Sequence, residues 1–438
     1  MKVLLVGNGG REHAIAEAIA RSKYGVELVV FANNVNPGIK KLAADYHVVD
    51  NLSHFDELRE YVKKTKPDFA VVGPDNPIGD GMVDVLGEIG VASVAPFQAP
   101  AQLESSKYYT RELLERNLIP GNPRFRRFES EDGVYPFLEE LGEDYVVKAD
   151  GLMGGKGVKV SGDHLNSHEQ AMGFVKECLS AGHSSVVIEE KFIGVEFSLM
   201  AFVDGEHLAY MPVVQDHKRA YEGDEGPNTG GMGTYSDVDH LLPFLTPEDV
   251  QQAKDISEAV IKAVKEDTGQ PFKGILFGGF MATKSGVKLI EYNARFGDPE
   301  ALNVLPLLET DFIDVCHAIL NGELSTLTLS WKKQATVCLY VVPDGYPENS
   351  AKGEILEIGQ MPEGVELFYS SVSEEGGVVK TTGSRSLGIV GIADTISEAR
   401  VKALAGIEQV KGNIFYRKDI GSDELVQQRV ETLKGVRG

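Results

Sequence analysis

The chain of 438 residues is long enough for about three domains, and its hydrophobic fraction of 42% suffices for buried cores. Its 43 basic and 66 acidic residues give a formal net charge of −23, which repels nucleic-acid phosphates and excludes a general nucleic-acid-binding protein. Three cysteines exclude a disulfide scaffold, and the apolar runs are too short to span a membrane. The chain starts in a strand pattern instead of a secretory signal, which predicts a cytoplasmic protein.

Strand and helix patterns alternate through the first part of the chain. Apolar runs predict buried strands, and helical spacing predicts helices between them. The predicted strands are 3–6, 28–31, 69–72 and 91–95, and the predicted helices are 14–20, 55–64 and 82–88. This alternation predicts an α/β region, residues 1–103, with a doubly wound parallel sheet.

The middle and the end of the chain have mixed patterns that predict α+β structure. In the middle region, residues 104–330, the predicted helices are 107–116, 169–179 and 247–266, and the predicted strands are 144–149, 158–160, 186–190, 197–203, 208–214, 275–282 and 287–293. Residues 122–192 or so are predicted to form a flap subdomain, and residues 215–236 a long loop. The last region, 331–438, is predicted to be a small strand-rich domain with strands 335–342, 365–369, 378–381 and 387–392 and a closing helix 397–407.

The turn after the first predicted strand is rich in glycine and opens a helix. It contains Asn8, Gly9, Gly10 and Arg11. Backbone amides at such a turn bind anions, and glycines let a ligand approach closely. A dinucleotide is the weaker interpretation, because Glu12 stands where that fingerprint needs glycine. A single phosphate fits better, and a turn that binds nothing is the simpler alternative.

A second loop, residues 73–77, follows the third predicted strand and carries Asp75. Ligands of open α/β sheets bind beyond the carboxyl ends of the strands, so this loop is expected to face the same crevice as the first. Asp75 could bind sugar hydroxyl groups there. Taken alone, the sequence is also typical of an ordinary proline-rich turn.

A third segment, residues 148–158, combines glycines with lysines. Lys148 ends a predicted strand, and Lys156 lies inside the glycine-rich stretch that follows. This arrangement suits a flap that closes on a polyphosphate, although the order of residues is not that of a Walker A loop. A mobile surface hairpin is the alternative.

Glu291 and Asn293 alternate on a late predicted strand and therefore share one face. Two oxygen ligands on one face suit Mg²⁺, which takes one or two protein groups together with nucleotide phosphates. Arg295, two residues further on, is placed to stabilise charge on a transferring phosphoryl group. The alternative is a solvated strand face.

The long loop 215–236 contains a charged cluster followed by a glycine-rich stretch. Long loops in compact domains are usually functional or disordered. Asp216 could bind an ammonium group and Arg219 a carboxylate or a phosphate, whereas His217 is expected to be structural. The cysteines Cys178, Cys316 and Cys338 are expected to be buried small apolar residues.

Taken together, these motifs resemble one family. The glycine-rich flap with two lysines and the late Glu-x-Asn-x-Arg strand resemble the ATP-grasp carboxylate–amine ligases. Within them, the order GNGGREHA, GPDNP, KADGLMGGKGV, QDHKR, GPNTGGMG and EYNARFGDPE is similar to the glycinamide ribonucleotide synthetase family. The likeness covers essentially the whole chain and includes the later segments 381–385 and 417–421.

The resemblance implies a Rossmann-like N-terminal domain, an ATP-grasp central region and a small C-terminal domain. It implies that ATP converts glycine to glycyl phosphate, which 5-phosphoribosylamine attacks to give glycinamide ribonucleotide, ADP and phosphate in de novo purine (IMP) synthesis. ATP is the co-substrate and Mg²⁺ (or Mn²⁺) the cofactor. It further implies a cytoplasmic monomer or weak homodimer that binds neither nucleic acid nor membranes.

The resemblance also implies roles for individual residues. The catalytic residues would be Arg295, Asp216, Lys218 and Arg219. The ATP-binding residues would be Lys107, Lys148, Gly154, Gly155, Lys156, Gly157, Glu189, Glu190, Phe192 and Glu196. The substrate-binding residues would be Asn8, Gly9, Gly10, Arg11, Asp75, Asn228, Thr229, Gly230, Gly231, Gly297 and Asp298, and the metal ligands would be Glu291 and Asn293.

Three alternatives stay open at this point. Another ATP-grasp ligase or carboxylase would join a different acid and amine, and the GNGGREHA turn argues for a phosphorylated sugar amine instead. A Rossmann dehydrogenase is disfavoured by Glu12 and by the missing acidic residue at the end of the second predicted strand. A catalytically inactive nucleotide-binding regulator is disfavoured because Lys148, Glu291 and Arg295 are all present.

Overall fold

The first part of the chain forms a parallel sheet flanked by helices. The computed structural model describes residues 1–152 and 157–438. The elements of this region are β1 (Lys2–Val6), α1 (Gly10–Ala20), β2 (Glu27–Ala32), α2 (Pro37–Leu42), β3 (Ala43–Val48), α3 (Phe55–Thr65), β4 (Phe69–Val72), α4 (Asp75–Gly79), α5 (Met82–Glu88) and β5 (Ala92–Val94). The strand order is β3-β2-β1-β4-β5, and β1 and β4 are continuous apolar runs because helices cover both faces. The loops after β1 and β4 therefore lie side by side at one edge of the sheet.

A smaller unit follows two connecting helices, α6 (Gln102–Ser105) and α7 (Lys107–Arg116). Its elements are β6 (Phe125–Phe128), α8 (Val134–Leu141), β7 (Tyr145–Ala149), β8 (Val158–Val160), α9 (His168–Ser180) and β9 (Val186–Glu190). The strands pair in the order β6-β9-β7-β8, and all these pairs are antiparallel. Phe137, Val147 and Phe174 belong to a hydrophobic core of this unit that is separate from the main core.

The central sheet carries the long antiparallel strands of the molecule. Its region contains β10 (Gly194–Asp204), β11 (Leu208–Tyr210), α10 (Pro247–Thr268), β16 (Lys273–Thr283), β17 (Gly286–Asn293), α11 (Glu300–Val304) and α12 (Phe312–Asn321), and the strand order is β11-β10-β16-β17. A capping box between Thr246 and Asp249 fixes the start of α10, as is typical of long surface helices. The end of β17 opens into the loop that leads to α11.

The segment 215–236 differs from its prediction as a loop. It contains the short strands β12 (Gln215–Asp216), β13 (Arg219–Tyr221), β14 (Glu225–Asn228) and β15 (Gly233–Ser236). β15 pairs with the first strand of the C-terminal region, β18 (Ala335–Pro343), where Gly233 approaches the carbonyl of Cys338 too closely for a side chain. Strands of two to four residues are too short to show a period in the sequence, and their partners lie far along the chain.

The C-terminal region completes a sheet that begins in that segment. After β18 come β19 (Ile355–Ile358), β20 (Val365–Tyr369), β21 (Val372–Glu375), β22 (Val378–Thr381), β23 (Leu387–Ala393), α13 (Ile396–Ile407), β24 (Val410–Lys411), β25 (Ile414–Phe415) and α14 (Asp423–Arg437). The sheet has the order β12-β15-β18-β23-β20, and Cys338 is buried in it. A further helix, α14, follows the predicted closing helix and packs against β10 and β16.

The structure also describes the surroundings of the cysteines and the character of the long helices. Cys178, Cys316 and Cys338 are buried free thiols, as expected of small apolar residues. In the part of the chain that the structure describes, helices that are both long and apolar enough to cross a membrane are absent.

Candidate active site

The loop between β17 and α11, residues 294–299, lies where the three regions of the molecule meet. From the N-terminal region, the Arg11 guanidinium donates to the carbonyl of Phe296 at 3.0 Å. From α6, the Glu104 carboxylate accepts the amide of Ala294 at 2.8 Å. From the C-terminal sheet, the Tyr340 hydroxyl donates to Oδ1 of Asp298 at 2.5 Å. Polar side chains from all three regions therefore hold this one loop.

Glu291 and Asn293 stand together at the end of β17. Both are half-buried and alternate with the buried Tyr292, so they share the face that the sequence predicted. Burial raises the pKa of Glu291, but the ammonium groups of Lys218 and Lys148 lower it overall, so the carboxylate is ionised. Across residues 1–152 and 157–438, groups of three or more His, Cys, Asp or Glu suited to a metal are absent. A carboxylate and an amide on one face are chemically suited to Mg²⁺ that also binds nucleotide phosphates, and this role stays a prediction.

A closed charge cluster, defined as Arg111, Lys148 and Glu189, lies beside this strand. Arg111 forms a bidentate pair with Glu189 at 2.7 and 2.9 Å, and Lys148 Nζ lies 2.7 Å from the same carboxylate. Burial would raise the pKa of Glu189, yet the two cations lower it to about 2. Arg111 and Lys148 also donate to the carbonyl of Ile290, at 2.6 and 3.2 Å. The cluster thus anchors β17 next to Glu291.

The segment predicted to be a phosphate flap is described at its two ends. Lys107 Nζ donates to the carbonyl of Gly151 at 2.8 Å, and the Asp150 carboxylate accepts the Lys107 amide at 2.7 Å. At the other end, the carbonyl of Gly157 accepts the amide of Ala149 at 2.8 Å. Gly154, Gly155 and Lys156 lie outside the described residues.

Four of the predicted ATP-binding residues, Glu189, Glu190, Phe192 and Glu196, lie in β9, in β10 and in the connection between them. The Glu189 side chain belongs to the closed charge cluster, whereas Glu190 pairs with Arg124 at 2.7 Å. Phe192 is half-buried, and Glu196 is exposed with its carboxylate 3.1 Å from Lys218 Nζ. Glu196 is therefore accessible to a ligand, as a residue that binds hydroxyl groups must be.

An open carboxylate pair, the half-buried Asp216 and the buried Glu300, lies on the other side of the same loop. The Asp216 carboxylate accepts the amide of His217 at 2.8 Å, and Glu300 accepts the hydroxyl of Ser198 at 3.1 Å. Burial raises the pKa of both groups, and the charge of Glu300 raises that of Asp216 further, to well above its usual value. These shifts persist although nearby cations oppose them, Lys218 and Arg385 at Asp216 and Arg295 and Lys218 at Glu300.

Glycine backbones cover the open carboxylate pair. A Cβ at Gly231, which has a φ of +111°, would lie 2.6 Å from Oδ1 of Asp216, and a Cβ at Gly297 would collide with the Glu300 carboxylate. The two glycines predicted from the sequence motifs are thus needed for close approach to these acids.

The charged side chains of the segment 215–236 contact different parts of the molecule. Lys218 points toward Glu196 and Glu291, and Glu196 in particular raises its pKa. Arg219 instead pairs with Asp163 at 3.2 Å and donates to the carbonyl of Gly226 at 2.8 Å. His217 is buried, its Nδ1 lies 3.2 Å from the carbonyl of Gly233, and its buried Nε2 has no hydrogen-bond partner among the described residues. Its structural role stays a prediction.

The glycine-rich stretch 228–231 is ordered by this backbone. Thr229 donates both its amide and its hydroxyl to the carbonyl of Lys218, at 2.7 and 2.9 Å. Asn228 lies opposite Arg219 in the β13–β14 pair. Gly230 and Gly231 then pass beside Asp216, so the stretch reaches the site through its backbone.

The turn before α1 faces the same loop. The Gly9 amide donates to the Glu12 carboxylate at 2.6 Å, and the Arg11 amide donates to Oδ2 of Asp298 at 3.2 Å. Gly10 lies against the Tyr340 hydroxyl, where a side chain would not fit. The amides predicted to bind a phosphate are thus partly engaged by protein carboxylates, and a phosphate at this turn stays a prediction.

Asp75 and Asn8 complete this side of the site. Asp75 starts α4, and although burial raises the pKa of its carboxyl, Arg295 and Arg11 lower it overall. The Asn8 side chain accepts the amide of Asn33 at 3.3 Å. Two loops of the parallel sheet therefore meet at one crevice, as their place after β1 and β4 predicted.

Three charged residues of the site were not predicted from the sequence. Glu104 binds the Arg295 guanidinium at 2.9 Å, Arg111 anchors the closed charge cluster, and Glu300 belongs to the open carboxylate pair. Glu300 ends the EYNARFGDPE motif, which was a usable signal. Glu104 and Arg111 lie in short helical segments where they read as ordinary surface charges, so the sequence gave little indication of their burial.

Models of one protein family match the chain in three consecutive parts. The phosphoribosylglycinamide synthetase N domain matches residues 1–104, its ATP-grasp (A) domain matches residues 105–301 and its C domain matches residues 336–423. The phosphoribosylamine–glycine ligase of Methanocella arvoryzae is 47% identical over 438 residues, and the match covers 100% of both chains. That of Methanocaldococcus jannaschii is 45% identical, also over 100% of both chains.

Solved structures show the same architecture. The crystal structure of phosphoribosylamine–glycine ligase from Thermotoga maritima has a TM-score of 0.80 and 29% identity, covering 96% of this chain and 100% of that one. A biotin carboxylase domain of Hydrogenobacter thermophilus 2-oxoglutarate carboxylase has a TM-score of 0.72 at 15% identity, covering 99% and 93%, and shares the fold alone. These matches confirm the predicted fold class and the predicted resemblance.

Proposed function

The chain belongs to the phosphoribosylglycinamide synthetase family, and we propose that it joins glycine to 5-phosphoribosylamine with cleavage of ATP, the reaction for which its relatives are named. The observation that carries this proposal is the loop 294–299. This loop follows the strand that bears Glu291 and Asn293. It contains Asp298, which accepts the Arg11 amide, and Arg295, which lies near Asp75 on the side of the parallel sheet. A phosphoryl-transfer site and an acceptor site therefore adjoin.

The first half of the reaction activates glycine. A carboxylate is a poor electrophile, so its oxygen attacks the γ-phosphorus of ATP, the bond to the ADP oxygen breaks and glycyl phosphate forms. Lys107 and Lys148 are fixed near Glu291 and would neutralise the phosphate charge. Glu291 and Asn293 would hold Mg²⁺ (or Mn²⁺), which when bound supplies further charge neutralisation at the phosphates.

The open carboxylate pair is suited to the amino group of glycine. Burial of both groups, together with the charge of Glu300 at Asp216, outweighs the effect of the cations around them, which are Lys218, Arg385 and Arg295. At Glu189, by contrast, Arg111 and Lys148 outweigh the effect of burial. An ammonium group would relieve this repulsion and hold the glycine carboxylate away from the acids. Arg295, fixed by Glu104, would bind that carboxylate and the phosphoryl oxygens.

The second half of the reaction transfers the glycyl group. The amine of phosphoribosylamine attacks the acyl carbon, phosphate leaves and an amide bond forms with loss of a proton. Asp75 and Asp298 would bind the hydroxyl and amino groups of the sugar, while the turn with Asn8, Gly9 and Gly10 would border it. The protein thereby acts chiefly by positioning the reactants and neutralising charge.

Further assignments belong to the same proposal. The site residues given by the resemblance keep their predicted roles, and Arg219 would act near the reacting groups after release from Asp163. We propose domain limits of 1–103, 104–330 and 331–438, with a flap subdomain at 122–192 or so. A cytoplasmic location and a monomeric or weakly dimeric state are part of this proposal, as is a role in purine biosynthesis.

The decisive experiment measures ADP release by the wild-type protein with ATP, Mg²⁺ and glycine. Phosphoribosylamine is generated in the assay from ribose 5-phosphate and ammonia, and each component is omitted in turn. We expect ADP release to need both glycine and the amine, with a product of the mass of glycinamide ribonucleotide. ADP release that another acid–amine pair supports better would contradict the proposed substrates.

The metal assignment has its own test. Glu291→Gln removes the charge of one proposed ligand but keeps its size, so the turnover at limiting Mg²⁺ should fall by at least about 100-fold. Excess Mg²⁺ should restore part of the loss. A variant with near-normal turnover at limiting Mg²⁺ would show that Glu291 does not hold the metal.

A further inference from the structure

Arg385, from the C-terminal region, reaches into the candidate active site. It lies between β22 and β23, and its Nη1 donates to the carbonyls of Gly230, Gly231 and Asp298 at 2.6, 3.1 and 2.7 Å. Its guanidinium stacks on the ring of Tyr340, 4.6 Å from the centroid, and Nη2 lies 3.5 Å from Oδ1 of Asp298. Only 15% of the side chain is exposed. One side chain thus holds three backbone positions of the site.

The contacts of Arg385 join two separate segments of the site. Gly230 and Gly231 run beside Asp216, whereas Asp298 faces the amino end of α1 through the Arg11 amide. Both segments are loops, which have little regular backbone hydrogen bonding to fix them. The rigid, planar guanidinium can bind several carbonyls at once, a geometry that a lysine ammonium does not reproduce.

Tyr340 acts on the same carboxylate from the other side. Its hydroxyl donates to Oδ1 of Asp298, while Oδ2 accepts the Arg11 amide, so both oxygens of Asp298 have fixed partners. Tyr340 is fully buried in β18, which makes it a rigid support. Burial raises the pKa of its hydroxyl well above the usual value, so it stays a proton donor.

We propose that Arg385 and Tyr340 are positioning residues through which the C-terminal region sets Asp298 for the amine acceptor. This inference rests on the proposed function, because it takes phosphoribosylamine as the ligand on the Asp298 side. Neither residue touches the reacting atoms. Their removal should therefore loosen acceptor binding much more than ATP binding at Lys107, Lys148 and Glu291.

The experiment compares four variants of the full chain with the wild type. Arg385→Lys keeps the charge but loses the planar fork, Arg385→Gln loses both, and Tyr340→Phe removes the hydroxyl alone. The matched control is Arg400→Lys, because Arg400 also donates twice to a backbone carbonyl, that of Lys418, outside the site. Steady-state kinetics are measured with each of the three substrates varied in turn, and thermal melting is measured in parallel.

We expect the KM for phosphoribosylamine to rise ~10- to 100-fold in Arg385→Lys, as loss of charge-assisted hydrogen bonds predicts. Arg385→Gln should show an equal or larger rise and Tyr340→Phe a smaller one. The KM for ATP should stay within about twofold in all variants, because these substitutions weaken the binding of the acceptor and not the binding of ATP. Arg400→Lys should match the wild type in every parameter.

Two results would overturn the proposal. Arg385→Lys and Tyr340→Phe with wild-type kinetics would show that the contacts do not position the acceptor. Equal rises in the KM of all three substrates, together with lower melting temperatures, would show a merely structural role. A wild-type protein that does not form the glycine amide would instead contradict the proposed function, so the two failures are distinguishable.

Discussion

Two buried groups of charge flank the end of β17, and they differ in how their charges are balanced. In the closed charge cluster, Glu189 is surrounded by Arg111 and Lys148 at 2.7 to 2.9 Å. In the open carboxylate pair, Asp216 is half-buried and Glu300 is buried, and their hydrogen bonds come from a neutral amide and a hydroxyl. The cations around this pair, Lys218, Arg385 and Arg295, do not outweigh the effect of burial. The pKa of Glu189 is lowered in the closed charge cluster, whereas the pKa values of Asp216 and Glu300 are both raised in the open carboxylate pair.

The difference separates a structural role from a binding role. In the closed charge cluster, direct ion pairs offset the cost of burying the charges and hold β17, while Lys148 also keeps its proposed role at the ATP phosphates. An unbalanced pair keeps that cost until a ligand of opposite charge arrives, so part of the ligand's affinity comes from relief of repulsion. In the proposed function, the closed charge cluster therefore holds β17, and the open carboxylate pair binds the ammonium group of glycine.

Breaking the balanced cluster should have the largest effect on stability. Arg111→Met removes the bidentate partner of Glu189 but keeps an apolar stem, which leaves a buried carboxylate with one cation. We expect the free energy of unfolding to fall by about 3–5 kcal/mol, as for other broken buried pairs. Urea unfolding followed by fluorescence measures it. A loss below about 1 kcal/mol would show that the cluster does not support the strand.

The open carboxylate pair should respond in the opposite way. Asp216→Asn keeps the shape but removes one charge, so kcat/KM for glycine should fall by ~100-fold while stability stays equal or rises. Asp237→Asn is the matched control, since Asp237 is a partly buried aspartate that directly follows the segment 215–236, with its pKa also raised by burial. Loss of both activity and stability in Asp216→Asn would contradict a binding role.

The two groups should also differ in the pH dependence of stability. The pKa of Asp216 is raised above 3.8, so its stabilising contribution is complete below that pH and is lost as the pH rises through the native pKa. Stability gained by Asp216→Asn should therefore be larger at about pH 8 than at about pH 5 in melting experiments. For Glu189 the sign is reversed: its contribution is present above pH 4.5 and is lost toward a pH of about 2. A constant difference between Asp216→Asn and wild type would contradict the raised pKa.

An exposed pair provides the smallest expected effect. Arg59 and Glu88 lie 2.9 Å apart at the surface of the N-terminal region, with the Arg59 side chain 38% exposed. Arg59→Met should change the free energy of unfolding by less than about 0.5 kcal/mol, because solvent screens such pairs. The same urea experiment used for Arg111→Met measures it. A loss as large as that of Arg111→Met would remove the distinction between buried and exposed pairs.

Much of the local structure could be predicted because its signal is contained in short stretches of sequence. The buried runs of β1 and β4 and the helical spacing of α7 were predicted with at most a small shift of their ends. Glu291 and Asn293 were predicted to share a face because the side chains of a strand alternate. Their shared face is confirmed, while their role as metal ligands stays a prediction.

The relation between distant segments could not be predicted. β15 pairs with the two-residue strand β12 and with β18, a strand far along the chain. The signals of α2, β3 and α14 were too short or too polar to stand out. Glu104 and Arg111 appeared as ordinary helix-surface charges until the packing of α6 and α7 against β17 buried them. Arg385 lay in a noted motif, but the carbonyls it binds belong to other regions.

The sequence by itself determined the element types of the long periodic segments, the glycine-rich turns and the chemical kind of each candidate group, because these depend on neighbouring residues. Only the tertiary structure decided which charges are balanced. Arg111, Lys148 and Glu189 come from three different elements, as do Asp216 and Glu300 from two. Burial and distance set the pKa of a group, and both depend on contacts between residues far apart in the chain.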